Sequence, residues 1–198
     1  MVAVLKLPEF LTVAAFLAWD PPTGHRWQLV DGVPQAMAPP TPTHGAIQSR
    51  IDRLIGTFLD GLSEPCTIVT TPGVVPFARA DSNFRIPDLA VTCSPIRPGD
   101  AALTDPVLFI EIRFPSNQAE TWANVWAGTT IASGREIVVF RTARIGALVL
   151  RRGTDGAWPD QPVAVEEGEI VLESIGFRIA IDEVYRSTWL ATGVAANS

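Results

Sequence analysis

Val107-Leu108-Phe109-Ile110-Glu111-Ile112-Arg113 is the stretch on which the fold turns. A run this apolar reads as a strand covered on both faces, the usual state of a central strand in a sheet with helices on either side. Glu111 interrupts it with apolar neighbours on each flank. An unpaired buried carboxylate costs several kcal/mol, so Glu111 must be paired, protonated or bound to a metal. Alternation puts Glu111 and Arg113 on one face of the strand. The bland explanation is a buried ion pair with a nearby arginine.

Working outward, Ile86-Pro87-Asp88-Leu89-Ala90-Val91 places a second acid in another apolar run, within an expected strand over 85–93. Asp88 serves either as a turn residue after Pro87 or as the partner of Glu111 at one divalent cation. Oxygen ligands of this kind suit Mg²⁺ or Mn²⁺. Upstream, residues 66–77 carry strand signals broken at Pro72-Gly73. Ile47, Ile51, Leu54, Ile55, Phe58 and Leu62 form an apolar stripe, so Thr43 is expected to cap a helix running to about Leu62. Asp31-Gly32 between apolar runs predicts a hairpin over 26–38, preceded by a short helix over 9–19. Downstream, Ser116 or Asn117 opens a helix to about Ile131. Strands follow over 136–140 and 145–151, and a closing helix is expected over 181–189. Helices interleaved with strands in this order predict an α/β architecture, one mixed sheet between helices.

Composition narrows the chemistry. The chain has 198 residues, a formal net charge of -6, 47% hydrophobic and 18% charged residues. It suits one domain, residues 1–198 with a core at roughly 26–151, and long disorder is excluded. Lys+Arg total 15, yet only Lys6 is a lysine, which removes Schiff-base chemistry, a P-loop and a lysine base elsewhere. Cys66 and Cys93 cannot build a disulfide framework or a four-thiolate zinc site, and a reducing cytoplasm is the default. The run Phe10 to Trp19 is shorter than the roughly 20 residues of a membrane span, so no membrane association is expected.

Taken together, Pro87-Asp88, a spacer and Glu111-Ile112-Arg113 look like the PD-(D/E)XK nuclease signature with arginine in the lysine slot. Trp27-Gln28-Leu29-Val30-Asp31-Gly32, Met37-Ala38-Pro39-Pro40 with His44, Pro106 to Glu111 with Pro115-Ser116-Asn117, and Glu136-Ile137-Val138-Val139 resemble, in order, the motifs of the Uma-two family of putative restriction endonucleases. The resemblance covers roughly residues 8–150. It implies a restriction-endonuclease-like fold and Mg²⁺-dependent (or Mn²⁺-dependent) hydrolysis of DNA. It also implies Asp88, Glu111 and the Ile112 carbonyl as metal ligands, and Arg113 at the catalytic position. Nuclease folds of this kind often pair, so a homodimer is expected.

Four departures bear on activity. Gln28 stands where the family has glutamate, Arg113 fills the lysine slot, and Thr121 and Val125 occupy positions where relatives carry an acid and a lysine. Arginine orients phosphate but stays protonated and cannot act as a base. The expectation is a weakened nuclease, or a binding or assembly protein that keeps the fold with an inert acid pair. His44 reads as a satisfied core histidine or as a substrate contact. Gln28 and Arg85 are further substrate-binding candidates, and Arg79, Arg85 and Arg113 are expected to form a phosphate-binding patch. Asp81, Ser82 and Asn83 read as a solvated turn able to rim the site.

Overall fold

Residues 107–113 lie in the middle of a six-stranded sheet in a computed structural model that describes residues 7–192. In chain order the elements are α1 (Val13–Leu17), β1 (Arg26–Val30), β2 (Val33–Met37), α2 (Pro42–Asp60), β3 (Thr67–Thr70), β4 (Leu89–Thr92), β5 (Pro106–Arg113) and α3 (Gln118–Thr129). Then come β6 (Glu136–Arg141), β7 (Ala147–Arg151), β8 (Val163–Val165), β9 (Glu169–Leu172), β10 (Phe177–Ala180), α4 (Ile181–Tyr185) and α5 (Trp189–Thr192). The sheet order is β3-β4-β5-β6-β7-β8. Only β5 and β6 run parallel. Parallel neighbours need a long crossover, and α3 provides it.

β5 is covered on both faces, as its sequence requires. Leu108, Ile110 and Ile112 pack with Ile47, Ile51, Ile55 and Leu59 of α2 and with the α4 residues Ile181, Val184 and Tyr185. Phe109 faces the other way, against Val125 of α3 with Ile137 and Val139 of β6. α2 begins two residues earlier than expected. Thr41, not Thr43, is its cap, accepting from the His44 N–H at 3.3 Å. Pro42 then takes the first helical position, where its missing N–H costs nothing. Leu62, beyond the helix end, is exposed.

The hairpin forms where Asp31-Gly32 predicts it, with both turn residues at positive φ (50° and 82°). The ring of Phe10 lies on Gly32, so closely that a Cβ there would come within 2.2 Å of it. The hairpin is tied to the chain before β4 by reciprocal hydrogen bonds between Leu29 and Phe84, which carries Gln28 toward the sheet.

Several elements are shorter than their sequence suggests. Of 66–77 only Thr67–Thr70 pairs, and of 85–93 only Leu89–Thr92 is continuous strand; Pro72 and Pro87 cannot donate to a ladder. The first helix is Val13–Leu17 rather than 9–19. The closing helix splits into α4 and α5 where the Thr188 hydroxyl donates to the Tyr185 carbonyl at 2.7 Å. Cys66 and Cys93 are joined by a disulfide at the ends of the β3–β4 pair. Two cysteines cannot build a framework of several bridges, but they make this single bridge between sheet neighbours. No helix among the described residues is long and apolar enough to cross a membrane.

Candidate active site

Asp88 is built by the end of a ladder. β4 and β5 pair from Leu89–Ile110 onward. Pro87 has no N–H to continue the pairing. The strands part there, and the Asp88 side chain replaces the missing backbone partner: its Oδ2 accepts from the Ile112 N–H at 2.7 Å. Its Oδ1 accepts from His44 Nε2 at 3.0 Å. The Asp88 carbonyl accepts from Gln48 Nε2 at 2.8 Å and from the Thr71 N–H at 2.9 Å. His44 and Gln48 are one turn apart on α2, so that helix fixes Asp88 twice. Phe114 stacks on the His44 ring at 5.3 Å.

Glu111 lies opposite the point where the ladder opens, and it is crowded by like charge. Burial, then the Asp88 and Glu120 carboxylates, push its pKa well above the ordinary glutamate value; a hydrogen bond from Asn124 and the charge of Arg85 offset this only in part. Arg85 is itself buried and committed. Its Nε and Nη2 donate to Asn83 Oδ1 at 3.2 and 3.0 Å, and its Nη1 donates to Asn124 Oδ1 at 3.1 Å. Asn83 in turn donates to Asp31 Oδ1 at 3.0 Å. A polar chain therefore runs from the hairpin turn through Asn83, Arg85 and Asn124 to Glu111. Gln28, fully buried, donates from Nε2 to Glu120 Oε1 at 3.4 Å, and its Oε1 has no partner. The space beside Glu111, between Arg85, Pro87, Phe109 and Asn124, is about 10 Å³, the lower limit for one water. A substrate cannot enter there, so anything larger meets the acids from the open Asp88–Glu120 side.

Of the residues singled out in the sequence, the structure brings together Gln28, His44, Arg85, Asp88, Glu111 and the Ile112 backbone. Arg113 goes elsewhere. Burial, then the charges of its neighbours Arg141 and Arg144, lower its pKa. The expected phosphate patch of Arg79, Arg85 and Arg113 is thus not one patch. Arg79 pairs with Asp31 at 3.2 Å on the surface, and Arg85 is locked in its amide cage. Ser82 and Asn83, expected in a solvated turn, are buried. Glu120 and Asn124 are the site residues that the sequence reading missed. They lie one position before Thr121 and Val125, which are buried in the packing of α3. Their spacing of four on a helix was the available signal.

The donor set suits a hard divalent ion: the Asp88 and Glu111 carboxylates, with excess negative charge that one committed arginine does not balance. Among the described residues no three of His, Cys, Asp and Glu already converge into a ready cage. That is compatible with Mg²⁺, which takes one or two carboxylates and keeps several waters. The Ile112 carbonyl leaves β5 on the same edge as the N–H that Asp88 holds.

Comparison with known proteins gives a consistent match. The model of a family described as Uma2, putative restriction endonuclease, matches residues 13–182. A crystal structure of a putative nuclease belonging to DUF820 from Anabaena variabilis is similar with a TM-score of 0.71 at 17% identity, covering 91% of this chain and 99% of that one. At that identity the likeness speaks for the fold. No curated protein matches.

Proposed function

Because this chain belongs to the Uma2 family of putative restriction endonucleases, we propose that it is a divalent-metal-dependent DNA endonuclease of the PD-(D/E)XK type. The observation that carries this reading is Glu111: a buried carboxyl pressed by two other acids while its nearest cation is spent on amides. A structural acid would have its charge matched. Asp88, Glu111 and the Ile112 carbonyl are the groups that would hold Mg²⁺ or Mn²⁺. When bound, such an ion polarises a phosphoryl oxygen and lowers the pKa of its water.

The chain's own residues do the positioning. His44 and the Ile112 N–H aim the Asp88 carboxylate. Asn124 and Arg85 hold Glu111. Glu111 must lose its proton to accept a cation, so ion affinity rises with pH. Gln28 restrains Glu120 at the open side. Among the described residues there is no lysine, so none of them offers an ammonium group of depressed pKa to assist proton removal, which makes slow turnover the expected behaviour. The reading takes residues 1–198 as one nuclease-like domain, acting on DNA in the cytoplasm as a homodimer, since two strands need two centres and C₂ pairs are the commonest assembly. The Cys66–Cys93 bond pulls against that compartment, because disulfides persist chiefly where conditions are oxidising. Thiol titration of protein purified without reductant decides that point, and light scattering decides the dimer.

The placement of Arg113 beside Arg141 and Arg144 favours a second reading, a DNA-binding or assembly protein with an inert acid pair. Plasmid nicking with Mg²⁺ and with Mn²⁺ separates the two. The endonuclease reading expects measurable cleavage that falls at least about 100-fold in Asp88→Asn and in Glu111→Gln, the scale of losing a group that acts in the transition state. A wild type that binds the ion but cuts no form of DNA overturns it.

A further inference from the structure

A second charge cluster lies one pleat beyond Glu111. Arg113 and Arg141 are register partners at the C-terminal ends of the parallel strands β5 and β6, and Arg144 comes from the turn into β7. With Pro115 and Ala143 they line a hollow of about 120 Å³. Among the described residues one acid reaches them. Glu166 pairs with Arg141 Nη1 and, at 3.1 Å, with Arg144 Nη2. Among the described residues Arg113 has no ion-pair partner, and Arg141 Nε is buried without a hydrogen-bond acceptor. Three cations against one anion, in a chain whose net charge is -6, is an arrangement that a bound anion would complete. A buried donor left unpaired costs about 1–3 kcal/mol, and guanidinium forks match phosphate oxygens in particular.

The cluster is also held in place without a ligand. The Thr142 N–H and hydroxyl both donate to the Arg113 carbonyl at 3.1 Å. The buried Tyr185 hydroxyl donates to the Gly146 carbonyl at 2.7 Å and accepts from the Arg141 and Gly146 N–H groups at 3.3 Å. The turn that carries Arg144 is therefore tied at both ends, so the backbone that presents the cations loses little entropy on binding. A hollow of about 120 Å³ is well above the roughly 10–15 Å³ that one water needs, enough for a phosphate group.

Position decides what kind of phosphate. Glu111 and Arg113 are about 6.6 Å apart along β5. A duplex strand advances about 3.4 Å per phosphate, so a group gripped by the arginines lies within a nucleotide or two of one facing the acids. We infer that Arg113, Arg141 and Arg144 form a phosphodiester subsite that grips the DNA strand beside the acid pair. This rests on the endonuclease reading for its choice of polymer, and it makes Arg113 a substrate-gripping residue.

The test is the salt dependence of binding of a labelled DNA duplex, followed by fluorescence anisotropy in EDTA, where nothing is cut. Arg113→Gln and Arg144→Gln should each reduce the slope of log K against log salt by about 0.9, and the double variant by about 1.8. Binding should weaken alike for unrelated sequences. Arg141 is left intact because it anchors Glu166. Thermal melts of the variants, expected to match wild type, show that they fold. A reduced slope together with no plasmid cleavage by wild type supports the subsite and overturns only the endonuclease reading. Normal cleavage with an unchanged slope in the double variant overturns the subsite alone. If inorganic phosphate stabilises wild type but not the double variant while no DNA binds, the hollow takes a small oxyanion and the strand assignment is overturned.

Discussion

Glu111 and Glu136 sit on adjacent parallel strands, one inside an apolar run and the other at the head of one, each almost completely buried, yet their surroundings are opposite. Glu136 has a partner for each oxygen. Arg151 Nε donates to Oε1 at 2.7 Å, and the Ser174 N–H and hydroxyl donate to Oε2 at 3.2 and 2.8 Å. Arg151 also reaches the Val171 carbonyl, so the pair clamps the β9–β10 hairpin to the sheet. Glu111 faces Asp88 and Glu120, and the arginine near it is bonded to amides. Burial is shared. What separates a structural acid from a site acid is whether its charge is matched before any ligand arrives. The buried ion pair expected for Glu111 is found at Glu136.

The sharpest way to break this contrast is to neutralise each acid in turn. Glu136→Gln leaves Arg151 with only the exposed Glu173, at 3.5 Å, as countercharge and should destabilise the fold by up to about 3 kcal/mol, the lower end for a broken buried pair because Arg151 is partly exposed. Glu111→Gln should stabilise the ion-free protein at neutral pH. Denaturant unfolding in EDTA reads both, and a comparable loss in both variants would erase the distinction.

Next in size is the response to a divalent ion. Mn²⁺ at about a hundredfold over its Kd should add about 2.7 kcal/mol by mass action. The gain should vanish in Asp88→Asn and Glu111→Gln and persist in Glu136→Gln. A gain that survives all three places the ion elsewhere.

The pH dependence follows from the raised pKa of Glu111. Its folded form keeps a proton that the unfolded chain gives up above about 4.5. The folded state then binds more protons, so stability is fully present below that value and falls as pH rises through the folded pKa. The fall approaches 1.4 kcal/mol per pH unit at most. Ion-free wild type should show this decline and Glu111→Gln should lack its share of it. A wild type whose stability rises over the same window would mean that Glu111 is matched after all.

Much of this was legible in the sequence because it depends on period. The run at 107–113, the α2 stripe and the Asp31-Gly32 turn each carry a local signature, and the acid pair follows from two interrupted strands. Glu120 and Asn124 were not legible because a helix phase shifted by one residue, from Thr121 and Val125, decides which side chains reach the sheet. The company of Arg113 was not legible either. Its meeting with Arg141 depends on the register of parallel strands whose partners lie far apart in the chain. Which of two buried glutamates would be matched depended in the same way on Ser174, contributed by the tail.

The smallest expected effect tests how far the unmatched region extends. Gln28 is fully buried and joins Glu120 by a single long hydrogen bond, with its own carbonyl oxygen unpartnered. Gln28→Glu replaces that donor with a carboxylate facing Glu120. Because Gln28 is fully buried, desolvation of the new carboxylate costs several kcal/mol, and repulsion from the exposed Glu120 adds about 1 kcal/mol. The ion-free protein should lose the sum at pH 8. The small effect is the one on ion affinity: Mn²⁺ should recover at least the repulsive part if the ion sits among these acids, which corresponds to about fivefold tighter binding. Calorimetric titration of wild type and variant measures the difference. Unchanged or weaker affinity, with the stability loss still present, would confine the ion to Asp88 and Glu111 and leave Glu120 a bystander at the rim.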